Sequence, residues 1–260
     1  MTSECQFVPE GEDLLPTEWA VGPWSADLLQ GSAYGGLLVR ALERGGAPPG
    51  MMLARLSFDL WRPVTRERLR PSVAVLREGR KACTVEASLS QGGKPAARCT
   101  AVFLKADPAS TPAAAGSQAP EVGPEAGQPV PPHVKAWSPF FTGVDTRVVQ
   151  GDLLKPGPAA AWFNLVRPLV AGEETSSLVH AVSAADLASG ISAVVDLRVW
   201  SFVNADLTVV CWRVPKAPWI LLAAETTVGD QGTGVARGLL SDVDGSFGSC
   251  TQTLLFERRA

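Results

Sequence analysis

The stretch Glu173–Gly190, EETSSLVHAVSAADLASG, decides how the rest of the chain is read. Leu178, Val182 and Asp186 recur at four-residue spacing with Val179 and Ala185 beside them, so on a helix they share one apolar face. Asp186 then points where leucine and valine point. A buried carboxylate without partners is costly, and even a neutral unpaired polar group costs about 1 to 3 kcal/mol. Two readings stay open: Asp186 is an inward carboxylate with partners or a task, or the helix stops early and Asp186 only caps a turn in Asp-Leu-Ala-Ser-Gly.

Working outward, a second helical pattern stands in QGSAYGGLLVRALERGG, residues 30–46. There Leu37, Leu38, Ala41 and Leu42 form one face, and Gly45-Gly46 stops the helix. Strand patterns follow in LARLSFDLWRP, RPSVAVLREG, KACTVEASLS and AARCTAVFLK, with turns at Glu78-Gly79 and Gln91-Gly92-Gly93-Lys94. Residues 1–30, with alternating short apolar and acidic pieces ending in Pro23-Trp24-Ser25-Ala26-Asp27, read as one strand and a turn. The segment 107–135 is rich in Pro, Ala and Gly and reads as a linker. Beyond it come a preamble from Trp137 to Val170, the Asp186 helix, and strands DLRVWSFV, DLTVVCWRVP, WILLAAETTV, GVARGLLSD and SCTQTLLFER, with Asp244-Gly245 as a hairpin turn.

The pattern is α+β, and it occurs twice. Trp61-Arg62-Pro63 is echoed by Trp212-Arg213-Val214-Pro215, and Cys99-Thr100-Ala101 by Cys250-Thr251-Gln252. This reads as an internal duplication, with units at 1–106 and 136–260. The halves differ at one informative place: Gln252 has the strand parity of Cys250, Leu254 and Phe256, whereas its counterpart is Ala101. A second polar group thus points inward in the second half only.

Bulk composition bounds the function. With 260 residues, 46% of them hydrophobic, the chain can bury a large core, and a net charge of -3 advertises neither nucleic acid nor an anionic membrane. Five scattered cysteines fit reduced thiols, and no signal-like start or long apolar span is present, so the expectation is a cytoplasmic protein. There is no Gly-x-Ser-x-Gly elbow, no P-loop and no dinucleotide loop. The only histidines, His133 and His180, leave no pair for zinc, and His180 reads as structural or solvent-facing. What remains is a carboxylate with neutral hydrogen-bonding partners, chemistry that can hold and deprotonate a water.

These residues resemble the acyl-CoA thioesterase II family of double hot-dog enzymes. The likeness runs over nearly the whole chain outside the linker and is closest in AADLASGISAVVD, FVNADLTVVCWR, APWILLAAETT, GVARGLLSDVDGSFGSCTQTLLFER and, in the first half, AYGGLLVRALE. The resemblance implies two curved antiparallel sheets, each wrapping a long helix, and hydrolysis of acyl-CoA by a water activated by Asp186, Thr227 and Gln252, without metal or organic cofactor. Simple alternation aims Thr226 inward, so Thr227 needs a bulge near Glu225, and Thr226 is held in reserve. Free N–H groups near Tyr34, Gly35 and Gly36 are candidates for the oxyanion hole, and Arg77, Arg80 and Lys81 for the coenzyme A phosphates. Trp212 departs from the family, whose members often carry histidine there, which bears on the neighbouring pocket. The likeness also implies a homodimer. Other readings of the fold are a non-catalytic acyl-binding protein and a hydratase; Ile191 stands where a hydratase histidine would be expected. Among the tryptophans, Trp61, Trp162, Trp200 and Trp212 are read as core.

Overall fold

The computed structural model describes residues 4–107, 109 and 118–259. The chain opens with a hairpin of β1 (Phe7–Glu10) and β2 (Asp13–Pro16), two short strands where the sequence suggested one. Helix α1 (Gly31–Gly45) ends at the Gly45-Gly46 pair, as its composition requires, but it starts three residues before Tyr34. Four strands follow: β3 (Met51–Leu60), β4 (Arg70–Arg77), β5 (Ala82–Gln91) and β6 (Lys94–Lys105). Between β5 and β6 the two-residue turn Gly92-Gly93 has both φ angles positive, 56° and 75°, the twist a tight hairpin demands and glycine supplies without steric cost.

The segment expected as linker is only partly so. Residues 108 and 110–117 lie outside the described residues. Beyond them come β7 (Gln128–Pro129) and the short helix α2 (Pro132–Lys135); Val130 and Val134 are buried, and the Val122 carbonyl accepts from Trp162 Nε1 at 2.9 Å. The preamble likewise holds a turn of helix, α3 (Pro139–Thr142), and two strands, β8 (Val144–Gln150) and β9 (Ala159–Leu165). β9 is buried along most of its length, so it reads as a continuous apolar run with no alternation to mark it. The second unit continues through α4 (Ser177–Ala185), α5 (Ala188–Ile191), β10 (Trp200–Asn204), β11 (Asp206–Cys211), β12 (Ile220–Val228), β13 (Thr233–Asp242) and β14 (Gly245–Arg258).

The two expected sheets are one. β3 of the first half pairs antiparallel with β11 of the second, giving a twelve-stranded sheet in the order β4-β5-β6-β3-β11-β14-β13-β12-β9-β8-β7, with β10 added beside β14. Register makes the duplication visible. Ser57 pairs with Thr100 on one side and Thr208 on the other, and Thr208 pairs with Thr251, so the two Cys-Thr echoes stand symmetrically about the Ser57–Thr208 pair. The helices do not match in length: α1 has 15 residues and α4 has 9.

α1 and α4 run antiparallel against each other through small residues. A methyl group on Gly36 would come within 3.2 Å of Val179, and Ser32 Oγ donates to the Ser183 carbonyl at 3.0 Å. This close approach places the start of α1 on the end of α4. Of the four tryptophans expected in the core, only Trp162 is there; Trp61, Trp200 and Trp212 are exposed, because each sits at a strand end or rim.

Candidate active site

Both readings of Asp186 are partly met. α4 does end at Ala185, with Asp186 as its cap residue, its own N–H still bonded to the Val182 carbonyl at 3.0 Å. Yet the side chain is buried and turned into the start of α1. Gln30 Nε2 donates to Oδ2 at 3.2 Å, Ser32 Oγ donates to the same oxygen at 2.9 Å, and Asn204 Nδ2 donates to Oδ1 at 3.3 Å. Gln30 and Ser32 come from the first half and Asn204 from the end of β10, so the carboxylate ties the halves together. Sequence reasoning missed all three, since two of them lie more than 150 residues away.

Gly31 explains how the carboxylate fits. A Cβ on this residue would stand 2.7 and 2.8 Å from the two Asp186 oxygens, so the first position of α1 admits glycine alone beside the anion. The positive end of a helix favours a negative charge there. Burial nevertheless outweighs the hydrogen bonds from Ser32, Gln30 and Asn204 and raises the Asp186 pKa above its ordinary value. Burial, and after it the Asp186 charge, also push the Tyr34 phenol up, so Tyr34 stays protonated.

Gln252 is fully buried and spans the break between α4 and α5: Nε2 donates to the Asp186 carbonyl at 3.0 Å, and Oε1 accepts from the Ser189 N–H at 3.0 Å. One Nε2 hydrogen remains beyond these two bonds.

The bulge on which an inward Thr227 depends is absent. β12 keeps unbroken register with β13 from Leu221 to Val228, so no bulge forms near Glu225 and Thr227 stays exposed on the opposite face. Thr226 pairs with Ala236, and Ala236 with Gln252, so Thr226, Ala236 and Gln252 form one inward row across three strands. In the first half the matching row is Val75, Val85 and Ala101, all apolar. α5 lies over the polar row, and Ser192 Oγ is 2.7 Å from Thr226 Oγ1. Ser192 spends its one hydrogen on the Ala188 carbonyl, so Thr226 is the donor of that pair and keeps its lone pairs.

Tyr34, Gly35 and Gly36 lie inside α1, buried, with the Tyr34 N–H bonded to the Gln30 carbonyl at 3.4 Å. In the first turn the Ala33 N–H is likewise bonded to the Gln30 carbonyl, at 3.0 Å, and the Ser32 N–H is given to Asp186, which leaves the Gly31 N–H as the donor at the start of the helix. Arg77, Arg80 and Lys81 sit at the β4–β5 hairpin, beyond the other end of α1, where Gly46 abuts Val85. With 15 residues in α1 at about 1.5 Å each, that is on the order of 20 Å from Asp186. A cavity of about 280 Å³ also opens at that far end; its Glu173 is paired with Arg40 and Arg44. His180 is buried against Phe140, Phe163 and Leu165 with Nδ1 unpartnered, and burial pushes its pKa down to about 4. It is neutral and faces away from the polar row.

Residues 20–104 match the family model of the acyl-CoA thioesterase N-terminal domain, and residues 118–256 that of the acyl-CoA thioesterase C-terminal domain. The chain belongs to the acyl-CoA thioesterase family. A search of curated proteins found none that matches this thioesterase. Among solved structures it is similar to a proposed thioesterase II from Thermobifida fusca, at 19% identity and a TM-score of 0.75, covering 98% of this chain and 96% of that one. A hot-dog-fold protein of unknown function from Alicyclobacillus acidocaldarius gives 14% and 0.76 over 98% and 96%. The acyl-CoA thioesterase II TesB2 from Mycobacterium marinum gives 18% and 0.67 over 90% and 93%. The thioesterase thus has the hot-dog fold in tandem and is a thioester hydrolase whose family acts on acyl-CoA. Among its described residues no helix is long and apolar enough to cross a membrane.

Proposed function

We propose that Asp186, Thr226 and Gln252 carry out hydrolysis of an acyl-CoA. The observation that supports this most is the Asp186 carboxylate itself, buried, raised in proton affinity, and held by neutral donors only. Such a group is a general base without a competing ion pair. Asp186 takes a proton from water as the water oxygen attacks the thioester carbonyl carbon. The tetrahedral intermediate then collapses, the C–S bond breaks, and the leaving thiolate takes up the proton.

Thr226 and the spare Nε2 hydrogen of Gln252 hold the water from either side of the small Ala236, which leaves room between them. The oxyanion faces the Gly31 N–H at the start of α1, where the helix is positive. The first half therefore supplies positioning and electrostatics, the second half the base and the water site. Release of free thiol from a panel of short, medium, long and aromatic acyl-CoAs tests the assignment. Turnover of at least one member is expected. Binding of acyl-CoA without turnover of any would convert the reading to that of an acyl-binding protein.

We also propose a homodimer. β4 is a sheet edge with Val75 and Leu76 exposed, a surface that pairing between subunits would cover. Light scattering at the mass of one chain would contradict it.

A further inference from the structure

We propose that a strip along β10 and β14 holds the coenzyme A arm of the substrate, with Arg258 receiving its phosphates; this rests on the thioesterase reading. The strip starts at the site. Asn204, which donates to Asp186, shares one face of β10 with Phe202 and Trp200, and these three pair in turn with Leu254, Phe256 and Arg258 of β14. Walking outward from the base, this face passes from an amide over buried aromatic rings to a cation at the rim.

Phe202 and Phe256 form the floor with ring centroids 5.7 Å apart, and Trp24 stands edge-on over Phe202 at 6.0 Å. Phe202, Phe256 and Leu254 are buried in the core, whereas Trp24 is 45% exposed and Trp200 is 37% exposed, so these two indoles present the strip to solvent. The Trp24 loop is pinned at its neck, where the Gly22 N–H bonds to the Leu28 carbonyl, one residue from Leu29 and two from Gln30, the other amide on Asp186.

Charge decides between the two ends of an acyl-CoA. Among the described residues Arg258 is in no ion pair; Arg198 nearby is taken by Asp196, and Glu257 points to the other face of β14. Arg259 is fixed by the Leu197 and Trp200 carbonyls. A hydrocarbon tail gains nothing from an open rim ending in an arginine. A pantetheine chain ending in phosphates matches both the exposed indoles of Trp24 and Trp200 and the cation. Asn204 to Trp200 is four residues, about 13 Å of strand, within reach of that arm.

The test compares kcat/KM for an acyl-CoA and for the N-acetylcysteamine thioester of the same acid, which lacks the phosphates. Arg258→Gln is expected to narrow the preference for the CoA thioester about fivefold, the size of a partly exposed charge pair. An unchanged preference, or a loss produced instead by changing Arg77, Arg80 and Lys81, overturns the proposal. Trp24→Ala is expected to raise KM for acyl-CoAs by the same factor at every chain length; a loss that grows with chain length means that the strip holds the acyl group and overturns it. Should neither thioester turn over, calorimetric binding of coenzyme A alone still decides: weaker binding by Arg258→Gln supports the site, and equal binding by both proteins refutes it.

Discussion

Gln252 grips the backbone of Asp186, donating to its carbonyl at 3.0 Å while accepting from Ser189 on the far side of the break between α4 and α5. The amide thus sets where the carboxylate points. Replacing it with alanine leaves a buried carbonyl and a buried N–H unpaired and opens a cavity beneath them. Gln252→Ala is expected to lower stability by about 2 to 4 kcal/mol in chemical denaturation and to depress kcat as well. Stability unchanged within error would show that the clamp carries no weight.

The inward row distinguishes two adjacent threonines. Thr226→Val removes the hydroxyl that faces Ser192, whereas Thr227→Val alters only an exposed position. The first is expected to lower kcat about tenfold or more and the second less than about twofold. The reverse order would mean that β12 shifts by one residue when substrate binds.

A methyl group on Gly31 would collide with both oxygens of the base. Gly31→Ala is therefore expected to displace Asp186 and cut kcat by about a hundredfold while the protein still folds, since alanine suits a helix. Native turnover in this variant would show that the carboxylate need not sit where it does.

The pH dependence separates Asp186 from His180. The Asp186 pKa is raised from 3.8, so catalysis that needs its ionised form should fall on the acid side at a pH above the ordinary aspartate range. The stability linked to that group runs the other way: it is full below 3.8 and lost as pH rises through the raised value. For His180 the pKa is lowered from 6.5 to about 4, so its contribution is full above 6.5 and lost as pH falls through about 4. Between pH 7 and 4 the loss is on the order of 3 kcal/mol, and His180→Gln should flatten it. An equally steep decline in that variant would assign acid unfolding to other groups.

Much of this architecture is legible in the residues. Alternation places the strands of both repeats, glycine pairs end α1 and turn the β5–β6 hairpin, and periodicity turns Asp186 and Gln252 inward. β8 and β9 escape notice because β9 is buried on both faces and so has no alternation to detect. The partners of Asp186 escape because Gln30 and Ser32 meet it only through the antiparallel packing of α1 on α4. Thr227 is favoured by likeness in sequence, but strand parity favours Thr226, and the unbroken β12–β13 register follows parity. Charge runs such as Arg77 to Lys81 carry no information about distance, and this one falls at the wrong end of a helix.

The central claim is that Asp186 is the base. Asp186→Asn keeps the shape and the buried position and removes the negative charge, so it bears on chemistry more than on packing. Free-thiol release from the best acyl-CoA should fall at least about a hundredfold in kcat, with circular dichroism and the unfolding midpoint close to native. Turnover within about twofold of native by a folded Asp186→Asn protein would contradict the account and place the active site elsewhere.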